Sequence, residues 1–140
     1  MVIQRWQSLL LLIAVALMCV FCCTPWAMRA VEGIEEATPV FISEAPVLLV
    51  LNIVIAVLLF LSIFMFKNLK RQMKVTVLSI ILICASIVTC GITLYTAYPG
   101  ATFVWTGGVL LLLVALVCAL CAYRLMEKDH RLLNSYNRLR

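Results

Sequence analysis

Apolar residues fall into four long runs, separated by short polar stretches. The runs cover about residues 6–24, 46–66, 75–97 and 103–123, and none contains Asp, Glu, Lys, Arg or His. A helix needs about 20 mostly apolar residues to cross the hydrocarbon of a bilayer. Each run therefore predicts a spanning helix. The first run meets Pro25 and Trp26, and the third stops before Tyr98-Pro99-Gly100, a turn signal. Gly91, Gly107 and Gly108 are the glycines inside the runs. Lipid-embedded helices tolerate glycine because neighbouring helices support the backbone. The expected architecture is all-α: one four-transmembrane-helix bundle over residues 1–140, with a tail at 124–140.

Composition agrees. Hydrophobic residues make up 66% of the chain and charged residues 12%, against about 25% charged in a soluble domain. Too little polar surface remains to face water. Seven cysteines could suggest a disulfide framework, yet Cys19, Cys22, Cys23, Cys84, Cys90, Cys118 and Cys121 all lie inside apolar runs. Buried cysteine ordinarily behaves as a small hydrophobe.

Charge sets the expected orientation, because Lys and Arg concentrate in cytoplasmic loops. With four spans, Arg5, Lys67, Lys70, Arg71, Lys74, Arg124, Lys128, Arg131, Arg138 and Arg140 share one side with Glu127 and Asp129. Arg29 falls on the other with Glu32, Glu35, Glu36 and Glu44. The split is +8 against −3. Both termini are then expected to be cytoplasmic, in a multi-pass membrane protein. Trp6 and Tyr123 mark the inner interface, and Trp26, Tyr98 and Trp105 the outer one.

The first run has one rival reading, a cleaved signal peptide. Its apolar stretch is long for that, and Met28-Arg29-Ala30 lacks a small-x-small pattern. A lipid-attachment site is also disfavoured, since Leu17-Met18-Cys19 has no small residue before the cysteine. An uncleaved first helix is the expectation. The outer loop 27–45 is acidic, with a short interfacial helix expected around residues 29–37. The turn 67–74 makes the second and third helices an antiparallel hairpin. From Val109 to Arg140 there is no Pro or Gly, so the fourth helix should run on past the membrane. Leu125, Leu132, Tyr136 and Leu139 share one face of that extension, and Glu127 stands four before Arg131, a helix-supporting ion pair. The tail reads as a basic amphipathic helix, for the membrane surface or a partner.

Small residues mark where helices approach in lipid. Ser86, Thr89, Thr93 and Ala97, with Cys90 alongside, form such a face on the third helix. Gly108, Ala115, Ala119 and Ala122, with Cys118 alongside, form another on the fourth. Both should point into the bundle. Asn52 is the most polar side chain deep in a span, and its amide should bond across to another helix rather than hold a ligand.

Ion-coupled transport leaves ionisable residues or broken helices inside the membrane, and these runs have neither. Thiol redox is the sharpest enzymatic alternative, because Cys19-x-x-Cys22-Cys23 and Cys118-x-x-Cys121 are paired. Small membrane oxidoreductases need water-accessible cysteines, however, and the loops carry none. A thiolate is also disfavoured in hydrocarbon. Metal binding would need more ligands at matched depth than Cys90 offers. His130 reads as a solvated histidine and the outer acids as a solvated loop. The basic residues can also hold anionic headgroups.

Three segments resemble a known family. The start, Val2-Ile3-Gln4-Arg5-Trp6-Gln7-Ser8, is similar to an I-Q-R-x-Q opening. Lys67-Asn68-Leu69-Lys70-Arg71-Gln72 lies between helices two and three. Arg124, Lys128, Asp129, Leu132, Ser135, Arg138, Leu139 and Arg140 match a tail of the form R-x-I-x-K-D-E-x-L-V-x-S-x-D-R-L-R. Together they resemble the bacterial membrane-protein family known as domain of unknown function 4293. His130 and Asn137 depart from it where the family tends to carry Glu and Asp. The resemblance implies a four-helix inner-membrane protein and no activity. All three segments fall on the expected cytoplasmic face. Topology alone asks only for Lys and Arg. Gln, Asn, Asp and Ser beside them suggest defined hydrogen bonds among start, turn and tail.

The expected function is non-enzymatic contact with a protein partner or anionic lipid at that face. The residues expected to make it are Gln4, Arg5, Lys67, Asn68, Lys70, Arg71, Lys74, Arg124, Lys128, Asp129, Ser135, Arg138 and Arg140. No cofactor, metal or nucleic acid is expected. A membrane thiol oxidoreductase and a small channel built from a homo-oligomer are the alternatives.

Overall fold

In a computed structural model the chain forms four helices and a small sheet. The structure describes residues 2–30, 36–97 and 102–138, with side chains at 6–30, 36–96 and 106–136. Expectations on Glu32, Glu35, Tyr98, Leu139 and Arg140, and on the side chains of Gln4, Arg5, Ala97, Trp105, Asn137 and Arg138, lie outside these.

The helices are α1 (Val2–Cys23), α2 (Pro46–Phe64), α3 (Leu69–Ala97) and α4 (Gly108–Arg138). All four are long and apolar enough to cross a membrane. They close into a ring, α1 on α2, α2 on α3, α3 on α4, with α4 returning to pack most extensively on α1. Their buried residues recur at alternating spacings of three and four. On α1 they are Gln7, Leu11, Ala14, Met18 and Phe21, and on α2 Leu48, Asn52, Ile55, Leu59 and Ser62. On α3 they are Gln72, Thr76, Ser79, Ile83, Ser86 and Cys90, and on α4 Leu112, Ala115, Ala119, Ala122 and Met126. A seven-residue repeat is the pattern of left-handed helix packing. The other faces expose Val50, Ile53, Val57, Ile81, Val88, Leu110 and Val117. So large an apolar surface is stable in lipid and would aggregate in water.

The expected small faces are where they should be, with some adjustment. Gly108, Ala115, Ala119 and Ala122 are buried. So are Ser86 and Cys90, while Thr89 and Thr93 sit half-buried at the edge of the stripe. Their hydroxyls bond back to Ala85 O and Thr89 O, each at 2.8 Å.

Helix boundaries differ from expectation at the starts of α1, which begins at Val2 and not near residue 6, and of α3 and α4. Helix α3 begins at Leu69, not near residue 75. Apolarity marks where hydrocarbon starts, not where a helix does. A 3₁₀ turn, Met65–Lys67, ends α2. The Asn68 carbonyl then accepts Arg71 N at 2.9 Å and Gln72 N at 3.0 Å, and α3 is under way. Helix α4 begins at Gly108, not near residue 103, and continues unbroken through the tail to Arg138. That continuity is as expected. At 1.5 Å per residue α3 and α4 run about 44 and 46 Å. Both exceed the hydrocarbon thickness of about 30 Å.

The residues ahead of α4 make a strand. Strands β1 (Ala27–Ala30), β2 (Thr38–Val40) and β3 (Thr102–Trp105) form an antiparallel sheet in the order β2-β1-β3. Ala27 pairs with Val40 on one side and Trp105 on the other. The interfacial helix expected around residues 29–37 is therefore corrected at its described ends. Arg29 and Ala30 belong to the central strand, whose backbone satisfies both neighbours. Pro39, which has no N–H to give a ladder, sits on an edge strand. Beneath the sheet Trp26, Ala27, Val40, Ile42 and Ala45 are buried and cover one end of the bundle. Gly108 makes this closure fit. A Cβ there would lie 2.6 Å from Trp26 Cα and 2.9 Å from the Pro25 carbonyl oxygen.

Candidate functional site

The opposite end of the bundle is basic, and there the buried stripes turn polar. Gln7 continues the line of Leu11 and Ala14 on α1 and is only 1% exposed. Its Nε2 donates to Asp129 Oδ2 on α4 at 2.5 Å. A hydrogen bond to a carboxylate is stronger than one between neutral groups. On the other side of the ring, Ser62 of α2 and Thr76 of α3 share a hydrogen bond of 3.0 Å. The Thr76 hydroxyl also lies 2.9 Å from Gln72 O and 3.9 Å from Met126 Sδ of α4. Gln72 is buried beside it. All four helices are tied in this layer.

The expected bond between start and tail is thus present, through Gln7 and Asp129. The other expected residues are disposed differently. Lys67, Asn68, Lys70, Arg71, Lys74, Arg124 and Lys128 are exposed around the same end. Asn68 serves the turn through its backbone. Ser135 is exposed and bonds within its own helix, to Leu132 O at 2.7 Å. Arg131 pairs with Glu127 at 2.6 Å, the ion pair expected from their spacing. Residues 131–136 are exposed on every side of α4, with Leu132 at 47% and Tyr136 at 73%.

Gln7 and Gln72 lie in the start and turn segments but not among the residues expected to make contacts, and Ser62 and Thr76 are new to the site. Their signal was the continuation of each helix's three-four spacing into polar residues. His130, expected to be solvated, is placed differently. His130 is half-buried, and its Nδ1 lies 3.2 Å from Asn134 Nδ2. It lines a cleft of about 390 Å³ between α3 and α4 with Lys70, Met73, Lys74, Val77 and Tyr123.

The thiols are scattered through the bundle. Cys90 is buried, Cys22 and Cys118 are half-buried, and Cys19, Cys23, Cys84 and Cys121 face outward, all as free thiols. Asn52 makes the expected bond to a neighbouring helix. Its Nδ2 donates to Met18 O at 3.1 Å and to Cys22 Sγ at 2.8 Å. Among the described residues no group of three His, Cys, Asp or Glu is placed to hold a metal ion.

Residues 3–139 match the model of a protein family described as Domain of unknown function (DUF4293). The match covers nearly the whole chain, taking in the turn segment and all but Val2 of the start segment and Arg140 of the tail. No curated protein and no solved structure matches the chain.

Proposed function

The chain belongs to this family of unknown function, and from the build of its basic end we propose that it is a non-enzymatic membrane protein acting by contact. The basic end faces the cytoplasm of a bacterium, with both termini inside. The split of ten basic residues to one supports that orientation. The projecting end of α4 is the docking element for a protein partner.

One observation carries this reading. The Gln7–Asp129 bond anchors α4 to α1, and the helix then continues to Arg138 with residues 131–136 uncovered. From His130 onward it extends about 14 Å, at 1.5 Å per residue. Free helices this short are marginal in water. Here the anchored bundle supplies the nucleus, so a stiff amphipathic helix is held ready without a partner. Leu132, Leu133 and Tyr136 offer apolar contact among Arg131, Ser135 and Asn134. The polar side chains in the layer beneath it tie helix to helix.

Affinity capture with the full-length chain and with a form ending at His130 tests the proposal. The truncation keeps Asp129 and its bond. Partners recovered by the full chain should be lost by the shorter one. The same partners in both, with unchanged lipid association, would sink the reading.

A further inference from the structure

The cleft between α3 and α4 is a separate feature from the projecting tail. Lys70, Met73, Lys74 and Val77 stand at i, i+3, i+4 and i+7 on α3, one face of a helix. Tyr123 and His130 stand seven apart on α4, again one face. The two helices run antiparallel. The cleft therefore has Lys70 and His130 towards its outer mouth and Val77 and Tyr123 towards the membrane interior. Over about 10 Å, at 1.5 Å per residue, it passes from cationic to apolar.

Its height in the membrane follows from α3. Counting about 20 spanning residues back from Ala97 puts Val77 at the hydrocarbon boundary. Lys74 and Lys70 then lie about one and two turns outside it, at headgroup level. Tyr123 takes the position tyrosine favours at a membrane interface.

Arg131 pairs with Glu127 at 2.6 Å. Asp129 takes its hydrogen bond from Gln7. Among the described residues no carboxylate forms an ion pair with Lys70 or Lys74. Nδ1 of His130 lies 3.2 Å from Asn134 Nδ2, one turn further along α4. The mouth offers two ammonium groups and an imidazole ring.

We propose that this cleft binds one anionic phospholipid. Lys70 and Lys74 hold its phosphate beside His130, while Met73, Val77 and Tyr123 line the path of its glycerol and first acyl carbons. A volume of about 390 Å³ falls in the range of small-molecule pockets. The occupant must be anionic at one end, apolar at the other, and seated at the membrane surface. A membrane lipid meets all three conditions. The site stands whether or not the tail has a protein partner.

Native mass spectrometry of the full-length chain in neutral detergent tests it. The probes are dioctanoyl phosphatidylglycerol, dioctanoyl phosphatidylcholine and inorganic phosphate. One phosphatidylglycerol should bind per chain, at least tenfold more tightly than phosphatidylcholine. The K70Q/K74Q double variant should bring that preference below twofold. K70R/K74R should keep it, and so should R131Q, which alters a tail charge away from the cleft. Circular dichroism and gel-filtration profiles confirm that each variant is folded. A preference that survives K70Q/K74Q overturns the site. So does an equal loss in R131Q, which would show only a diffuse basic surface. Displacement of the lipid by equimolar inorganic phosphate overturns the lipid assignment.

Discussion

Gln7 and Asp129 stand 122 positions apart and share a 2.5 Å hydrogen bond at the basic end of the bundle. The bond joins the first helix to the last, and the tail projects from it. Replacing Gln7 by Ala leaves a half-buried carboxylate without this donor. The cost should be about 1–3 kcal/mol, read from denaturant unfolding in detergent. Asp129→Asn keeps the shape and an acceptor oxygen, so it should cost less. In a double-mutant cycle the two changes should be clearly non-additive, as for groups in direct contact. Additive losses would mean the pair contributes nothing as a pair.

Gly108 is tied to the other end of the bundle. Any side chain there must displace Trp26 Cα or the Pro25 carbonyl, because a Cβ would lie 2.6 and 2.9 Å from them. Both are backbone atoms and cannot swing away. Gly108→Ala should therefore destabilise by about 1–3 kcal/mol, as overpacking does. Gly91 is the control. Nothing lies within 4 Å of a Cβ there, and the position is inside α3. Gly91→Ala should be neutral or stabilise by about 0.5–1 kcal/mol, the helix-interior cost of glycine. Thermal melts of the two variants should move in different directions, or at least differ clearly.

Which features were legible in the sequence follows from how local their causes are. The spans were legible because hydrocarbon demands an unbroken apolar run, and residues 46–66 or 75–97 supply one without reference to anything else. The start of α3 at Leu69 was not, since Lys70, Arg71, Gln72 and Lys74 end the apolar run without ending the helix. Strand β3 was hidden for a different reason. Thr102–Trp105 is extended because it pairs with Ala27–Ala30, a partner far away in sequence, and by hydropathy alone it reads as the top of a helix. At the site, the clustering of Arg, Lys, Gln and Asp at one end was visible. That Gln7 in particular reaches Asp129 was not, because no local pattern encodes a pairing across the whole chain. The three-four spacing of Gln7, Leu11, Ala14 and Met18 did point Gln7 inward, and hydropathy passed over it as a polar flank.

Asn52 offers a test inside the apolar zone. Its amide bridges α2 to α1 through Met18 O and Cys22 Sγ, while its Oδ1 is buried without a partner. Asn52→Ala should cost about 1 kcal/mol or less, the range measured for hydrogen bonds between membrane helices. Asn52→Leu removes the orphaned oxygen as well and fills similar volume, so it should come closer to neutral. A loss above about 3 kcal/mol for Asn52→Leu would contradict this account, because substitutions that conserve volume seldom cost that much. Such a loss would mean that the amide does more than join two helices.

The proposed orientation can be tested through the basic residues that support it. Lys67, Lys70, Arg71 and Lys74 cluster at the hairpin turn between α2 and α3. The loop on the opposite side has Arg29 as its one basic residue. Positive charge in short loops resists translocation, whereas acidic residues contribute little. A fluorescent protein fused after Arg140 should therefore glow in the cytoplasm, and a periplasm-dependent phosphatase fused there should be inactive. Replacing the four turn residues by Gln should leave that result in place, since Arg5 and the tail cations still hold the ends inside. Adding four Lys to the outer loop on top of that change should give a measurable fraction of phosphatase-active chains. An active phosphatase on the unaltered chain would invert the topology and place the tail and the cleft on the outer face.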